Sequence, residues 1–331
     1  MRASEVVVCG GGGFIGGHLV AELRRHEVGR IRAVDLKPFN EWYQRFDDVD
    51  NVVLDLRRSD DCKEAVAKAA QVYNVAADMG GMGFIEHNKA LCMLTVLINT
   101  HLLTAARAAG VRRFFFASSA CVYAAYKQTS PDLTALKEED AYPAMPEDGY
   151  GWEKLFSERM CRHFTEDFGF NTSVARYHNV YGPHGTYDGG REKAPAAICR
   201  KVIQAQINGT DEIEIWGDGQ QSRSFMYIDD CLKGTLMMMD RGIPGPLNIG
   251  SSELVTINQL VDIVEGIAGV RLERRYNLSA PKGVNGRNSD NTRIQQILGW
   301  QPSITLREGL TKTYRWIHEQ MLTREATVVV S

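Results

Sequence analysis

Glu5-Val6-Val7-Val8-Cys9-Gly10-Gly11-Gly12-Gly13-Phe14-Ile15-Gly16-Gly17 is the stretch that decides the fold. Val6–Val8 is β-branched and uninterrupted, as in a parallel strand buried on both faces. Gly10, Gly13 and Gly16 follow with the spacing GxxGxxG. A helical pattern comes next, with Leu19, Val20 and Leu23 apolar and Arg24 and Arg25 near its end. Strand, glycine turn and helix form the context of a dinucleotide site. The glycines let backbone approach a pyrophosphate, and the helix N-terminus faces its charge. Gly10, Gly13, Phe14, Ile15 and Gly16 are the predicted contacts.

The alternation continues. Ile31–Val34 reads as a second strand ending at Asp35, about 20 residues past the glycines. An acid there accepts hydrogen bonds from both ribose hydroxyls and repels a 2′-phosphate, so NAD is expected rather than NADP, with Lys37 close by. Asn51–Leu54 ends at Asp55, a candidate for the adenine amino group. The pattern predicts a helix over about 59–69, a strand over 71–75, a glycine-rich loop over 76–84, and one long helix over about 86–109. The fold class is α/β, a Rossmann-type doubly wound parallel sheet with a smaller C-terminal α/β substrate domain. The boundaries are 1–176 for the NAD-binding part, with a return segment about 224–250, and 177–223 plus 251–331 for the second domain.

Composition narrows the class. Of 331 residues, 44% are hydrophobic and 24% charged, which fits a soluble globular protein. A net charge of −3 gives no global attraction to nucleic acid or anionic lipid. The seven cysteines show no CxxC and no paired spacing, which predicts reduced thiols, a cytoplasmic location and no metal site. The first apolar run is too short for a signal peptide or membrane span.

Two further stretches carry chemistry. Phe114-Phe115-Phe116-Ala117 reads as a buried strand, and Ser118-Ser119-Ala120-Cys121-Val122-Tyr123 lies at its carboxyl end. Taken alone, the serines could close a turn and Cys121 could fill the core. Tyr150 and Lys154 then form a YxxxK on one helix face, where an ammonium favours the phenolate. From Val6 to about Arg176 the sequence resembles the short-chain dehydrogenase/reductase superfamily. That resemblance implies hydride transfer, with Ser119 bridging Tyr150 and the hydroxyl being oxidised, and Lys154 also holding the nicotinamide ribose.

Beyond Arg176 the chain resembles the extended, nucleotide-sugar branch. Tyr177-His178-Asn179-Val180-Tyr181-Gly182-Pro183 matches its signature, with Asn179 at the diphosphate. Trp216-Gly217-Asp218-Gly219-Gln220-Gln221-Ser222-Arg223 matches the turn before its phosphate-binding arginine, although an Asp-Gly hairpin reads the same way. Tyr227-Ile228-Asp229-Asp230 predicts a helix start with an acid at the cap. The 4,6-dehydratases of this branch carry Asp-Glu after the catalytic hydroxyl, and here those positions are Ala120 and Cys121. A thiol suits proton transfer at carbon once C4 is a ketone, because C3–H and C5–H are then acidic. Lys193, just before Pro195 at a helix start, is the candidate partner; a helix N-terminus disfavours its ammonium.

Asp78–Ile85, Ser118–Cys121, Gly189–Ala197 and Gly286–Asn291 resemble the GDP-mannose 3,5-epimerases, over about residues 5–320. The resemblance implies C4 oxidation by Tyr150 with Ser119 and Lys154, inversion at C5 and C3 by Cys121 and Lys193, and return of the same hydride. It implies NAD held also by Asp35, Asp55 and Ala76. GDP-mannose would meet Met79, Gly80, Ser118, Ser119, Cys121, Asn179, Glu192, Lys193, Ala194, Lys201, Gln221, Arg223 and Arg287, with Arg287 at the diphosphate. A homodimer through helices 86–109 and 148–167 is expected. A UDP-sugar 4-epimerase or decarboxylase would not need Cys121, and an NAD-sensing regulator would not need Tyr150 and Lys154. Thr95 and Val96 stand where the branch usually has Asn, with Asn99 nearby, and Ala124–Gln128 departs from the family. The apolar tail Ala326–Ser331 has no assigned role.

Overall fold

The computed structural model describes residues 5–132 and 134–330. The first half alternates strand and helix: β1 (Glu5–Cys9), α1 (Phe14–Arg25), β2 (Arg30–Asp35), β3 (Asp50–Val53), α2 (Ser59–Val66), β4 (Ala69–Asn74), α3 (Met82–His87), α4 (Lys89–Met93), α5 (Val96–Ala108), β5 (Arg113–Ser119), α6 (Tyr150–Phe168) and β6 (Thr172–Tyr177). The second half is less regular: β7 (Val180–Tyr181), α7 (Ala194–Asn208), β8 (Glu212–Trp216), β9 (Ser222–Ser224), β10 (Met226–Tyr227), α8 (Ile228–Arg241), β11 (Leu247–Ile249), β12 (Leu254–Thr256), α9 (Ile257–Ala268), β13 (Glu273–Asn277), β14 (Gly286–Arg287), α10 (Thr292–Leu298) and α11 (Leu306–Val330).

Seven strands form one parallel sheet in the order β11-β6-β5-β4-β1-β2-β3. Strand pleating splits β1 between two cores. Val6 and Val8 pack with Leu19 and Leu23 of α1, whereas Val7 packs with Leu102 and Leu103 of α5. Both faces are covered, so the sheet is doubly wound. Phe114, Phe115 and Phe116 of β5 are fully buried, each contributing roughly 1.5–3 kcal/mol of transfer free energy. The order reverses between β1 and β4, and the crevice at their carboxyl ends is where such sheets bind ligands.

Several expectations need correction. Helix α2 stops at Val66, because Ala69 already pairs with β1. The single helix expected over 86–109 is three. Asn88 leaves the helical region (φ −131°, ψ 37°) and its side-chain amide donates to Phe84 O. A tight turn at Leu94-Thr95, with Ile98 N donating to Thr95 O at 3.0 Å, separates α4 from α5. Lys89–Ala108 has the length and hydropathy of a membrane span, but Asn99, Leu102, Leu103 and Ala106 on its inner side are buried within the protein.

The second domain is built from short sheets, β10-β7, β12-β9-β14 and β13-β8. The Trp216–Arg223 turn is no hairpin, since β8 pairs with β13 and β9 with β12 and β14. Asp230 does not cap α8, whose N-cap is Tyr227. It sits in the first turn and accepts from Ser303 N, Ser303 Oγ and Ile304 N, each at 2.9 Å, fastening the segment that leads into α11. That last helix runs on to Val330, beyond the expected Met321.

Candidate active site

A cavity of about 1200 Å³ runs from the glycine turn across the strand ends to α7 and β14. Every residue named from sequence as a cofactor or substrate contact lines it. At its cofactor end the glycines are sterically required. A Cβ on Gly16 would lie 1.9 Å from Gly10 O, and Gly10 itself has φ +89°. Helix α1 starts at Phe14 with no side-chain cap and no acid in its first turn, which leaves its positive end for an anion. Asp35 is held by Gly12 N and Lys37 N, each at 3.0 Å, an arrangement that fixes its carboxylate for a ribose diol. Asp55 is bound by Arg57 through Nε at 2.9 Å and NH2 at 2.8 Å, which holds its carboxyl below the usual range. These residues fit a bound NAD.

At the strand ends, pleating separates the two serines. Ser119 Oγ accepts from Cys121 N at 3.2 Å and lies beside the Tyr150 hydroxyl. Ser118, expected at the sugar, donates instead to Glu158, which in turn holds buried Arg176 at 2.9 and 2.7 Å. Burial raises Tyr150 well above the usual phenol value, with Cys121 adding to it. The expected lowering by Lys154 does not prevail. Lys154 Nζ lies 5.4 Å from the Tyr150 ring centroid and shares its charge with Glu153 at 3.5 Å.

The loop after β4 and the loop before α7 are zipped together. Gly81 N donates to Arg191 O at 3.0 Å, and Arg191 reaches back to Asp78 at 2.7 Å. A Cβ on Gly81 would lie 2.3 Å from Glu192 O. Thr95 Oγ1 anchors the first loop by accepting from Asp78 N at 3.2 Å, so threonine serves at this departure from the family. Asn99 does not replace it; its amide bonds to Asn74 and Ser157 beneath the sheet. Lys193 is the N-cap of α7, with Pro195 in the first turn, and burial pushes its ammonium down. Glu192 is fixed by Gly190 N at 2.7 Å and Arg200 at 3.2 Å. Beside it, Ala194 begins the helix.

Arg287, expected at the diphosphate, lines the cavity but already has protein partners. Its Nε donates to Gln128 Oε1 at 2.7 Å, NH2 binds Glu147, and NH1 lies 3.6 Å from Cys121 Sγ. The bracket comes from Gln128, at the end of the tract that departs from the family. Arg223 makes no ion pair among the described residues; its partners are the carbonyls of Ser222, Lys282 and Val284. Burial first, then Arg287, lowers it to about 10. A half-buried cation that lines the cavity with only carbonyl partners is suited to bind an anion. Nearby, Lys201 donates to Glu214 O at 2.8 Å, Gln221 donates to Trp216 O at 2.9 Å, and Asn179 donates to Ser224 O at 2.9 Å. Gln221 Oε1 is buried without a partner and remains available to a ligand.

Glu147 was not foreseen. It lies three residues before Tyr150 in a stretch with no periodic signal, and only the fold brings it to Cys121. Burial, then Glu147, pushes the Cys121 thiol up to about 11, while Arg287 and Ser119 oppose the rise. No cluster of metal-ligating side chains exists among the described residues.

The family described as NAD dependent epimerase/dehydratase matches residues 6–250. GDP-mannose 3,5-epimerase 1 of Oryza sativa subsp. indica is 45% identical over 96% of this chain and 82% of that protein. GDP-mannose 3,5-epimerase of Arabidopsis thaliana is 43% identical over 96% of this chain and 83% of that protein. The solved UDP-glucose 4-epimerase of Thermotoga maritima shares the fold, with a TM-score of 0.84 at 24% identity over 96% of this chain and 99% of that one. The chain belongs to the NAD dependent epimerase/dehydratase family.

Proposed function

We infer that this protein is a GDP-mannose 3,5-epimerase. The observation that carries the reading is that Cys121 and Lys193 line the same cavity as Ser119, Tyr150 and Lys154. A 4-epimerase moves only a hydride and a hydroxyl proton, and has no use for the thiol and the amine. The relatives at 45% and 43% identity are named for this activity.

Bound NAD supplies the hydride acceptor and donor for C4, held by the glycine turn, Asp35 and Lys154. Tyr150 takes the proton of the C4 hydroxyl, with Ser119 bridging the two oxygens. The resulting ketone acidifies C5–H and C3–H. Cys121 and Lys193 exchange protons with those carbons, one removing and the other replacing, so that each centre inverts. Burial raises the thiol and lowers the ammonium, which favours a neutral thiol facing a neutral amine. Arg223 binds the diphosphate. The product is GDP-L-galactose, or GDP-L-gulose if C5 alone inverts. Incubation with GDP-mannose in D2O should place deuterium at C5 and C3 of the product by NMR; product without deuterium at either carbon would exclude the reading.

Assembly follows from one face. Met93, Leu94 and Leu97 near the α4–α5 junction, and Trp152 and Phe156 one turn apart on α6, are exposed apolar side chains on neighbouring helices. We propose that a second copy covers them, giving a homodimer. Sedimentation should give twice the chain mass, and Phe156→Glu should return the monomer. Seven free cysteines suit a reducing compartment, the cytoplasm.

A further inference from the structure

Glu147 is fastened to the peptide of Cys121. Its N–H donates to Cys121 O at 3.0 Å. Gly151, one residue past Tyr150, lets the first turn of α6 approach that same carbonyl; a Cβ there would lie 2.3 Å from it. The Glu147 side chain is 11% exposed. One carboxylate oxygen takes the Arg287 guanidinium, and the other, Oε2, is buried with no partner. An acid present only to neutralise Arg287 would use both oxygens in a bidentate pair. Here the pair is opened. Arg287 gives one nitrogen to Glu147 and another to Cys121 Sγ at 3.6 Å, and the carboxylate stays within interaction range of the thiol. Six other groups face the thiol: Ser119 from β5, Cys92 from α4, Tyr150 from α6, Lys193 from the start of α7, Arg223 from β9 and Arg287 from β14. Glu147 is the sole carboxylate among them.

We propose that Glu147 is the positioning residue for proton transfer at Cys121: its carboxylate keeps the sulfur protonated and offsets the charge of the Arg287 guanidinium that carboxylate and sulfur share. The proposal rests on the epimerase reading of the site and adds a direction to it. Cys121 enters each inversion as the acid and Lys193 as the base. The amine takes the proton from carbon, so a C–H bond breaks, an N–H bond forms and the electron pair enters the enolate. The thiol then gives its proton to the other side of that carbon, leaving a thiolate and an ammonium. In mannose the C3 and C5 hydrogens lie on one face of the ring, so the second inversion needs the same base and the same acid again. Net return of one proton from the Lys193 ammonium to the Cys121 thiolate restores both. A carboxylate beside the sulfur drives that return.

The test reads Cys121 directly, by the pH dependence of its iodoacetamide labelling, followed on its own peptide by mass spectrometry in the NAD-loaded enzyme. The wild-type midpoint should lie well above the ordinary thiol value of about 8.5. Glu147→Gln should lower it by about one to three pH units, and Glu147→Asp should keep it near wild type. With GDP-mannose, Glu147→Gln should raise the share of singly inverted GDP-L-gulose. A wild-type midpoint at or below about 8.5 would overturn the proposal even if the variant does not fold. So would a Glu147→Gln midpoint equal to wild type. Because labelling needs no turnover, failure of the epimerase reading in D2O would leave this result standing on its own.

Discussion

Arg223 and Arg287 are register partners in the parallel pairing of β9 with β14, so two guanidiniums stand side by side on one wall of the cavity. Only Arg287 has a carboxylate. The pairing explains the division of labour between them. Arg287 is engaged by Glu147, Gln128 and Cys121, whereas Arg223 binds carbonyls alone, which favours Arg223 as the proposed diphosphate contact.

Arg223→Gln should therefore raise KM for GDP-mannose by about 10- to 100-fold, the loss of one charge-assisted contact of roughly 1.5–3 kcal/mol. The deuterium pattern of the product should not change. Thermal stability should change little, because Arg223 is only half-buried and binds carbonyls rather than a counter-ion. A KM equal to wild type would move the diphosphate elsewhere.

Cys121→Ala should separate the two halves of the reaction. Oxidation at C4 needs Ser119, Tyr150 and Lys154, so a transient absorbance of reduced cofactor should survive. Deuterium incorporation should fall by at least the roughly 10²–10⁴-fold of general acid–base catalysis. Retained incorporation would show that the thiol is core packing, as its 8% exposure alone would allow.

How far the sequence reached depended on distance along the chain. The glycine turn and the Tyr150–Lys154 pair are local, and their spacing alone predicts the shared face. The breaks at Asn88 and Leu94-Thr95 escaped because neither Gly nor Pro marks them. Ser118 lines the cavity as expected, but its bond to Glu158 escaped, because two adjacent serines on a strand point to opposite faces and nothing in the sequence says which faces Glu158. The loop carrying Lys193 was legible from Pro195 at a helix start; its zip to Gly81 is a contact across more than 100 residues that no periodicity reports. Glu147 had no such resemblance behind it, and so it was missed.

Gly81→Ala should test the zip between the two loops. The added methyl meets the Glu192 carbonyl at 2.3 Å, so the loop before α7 must retreat and carry Lys193 with it. Overpacking of this kind costs about 1–3 kcal/mol. Deuterium incorporation should fall at least tenfold while the cofactor stays bound, because Gly10, Gly16 and Asp35 lie on other segments. Loss of copurified NAD together with activity would instead indicate general collapse.

His178 gives the fold a defined weakness toward acid. The ring is fully buried, donates from Nε2 to Asn248 Oδ1 at 3.0 Å, and has Nδ1 without a partner. Burial lowers its pKa from 6.5 to about 3. Between those values the unfolded chain binds a proton that the native protein refuses. The unfolded state therefore gains as pH falls, and stability rises again as pH increases toward 6.5. Urea titrations should show a His178 contribution to this loss of at most about 1.4 kcal/mol per pH unit across that window. His178→Gln, which cannot titrate, should be less stable near neutral pH but should flatten the slope by that amount; an unchanged slope would mean that the acid sensitivity arises elsewhere.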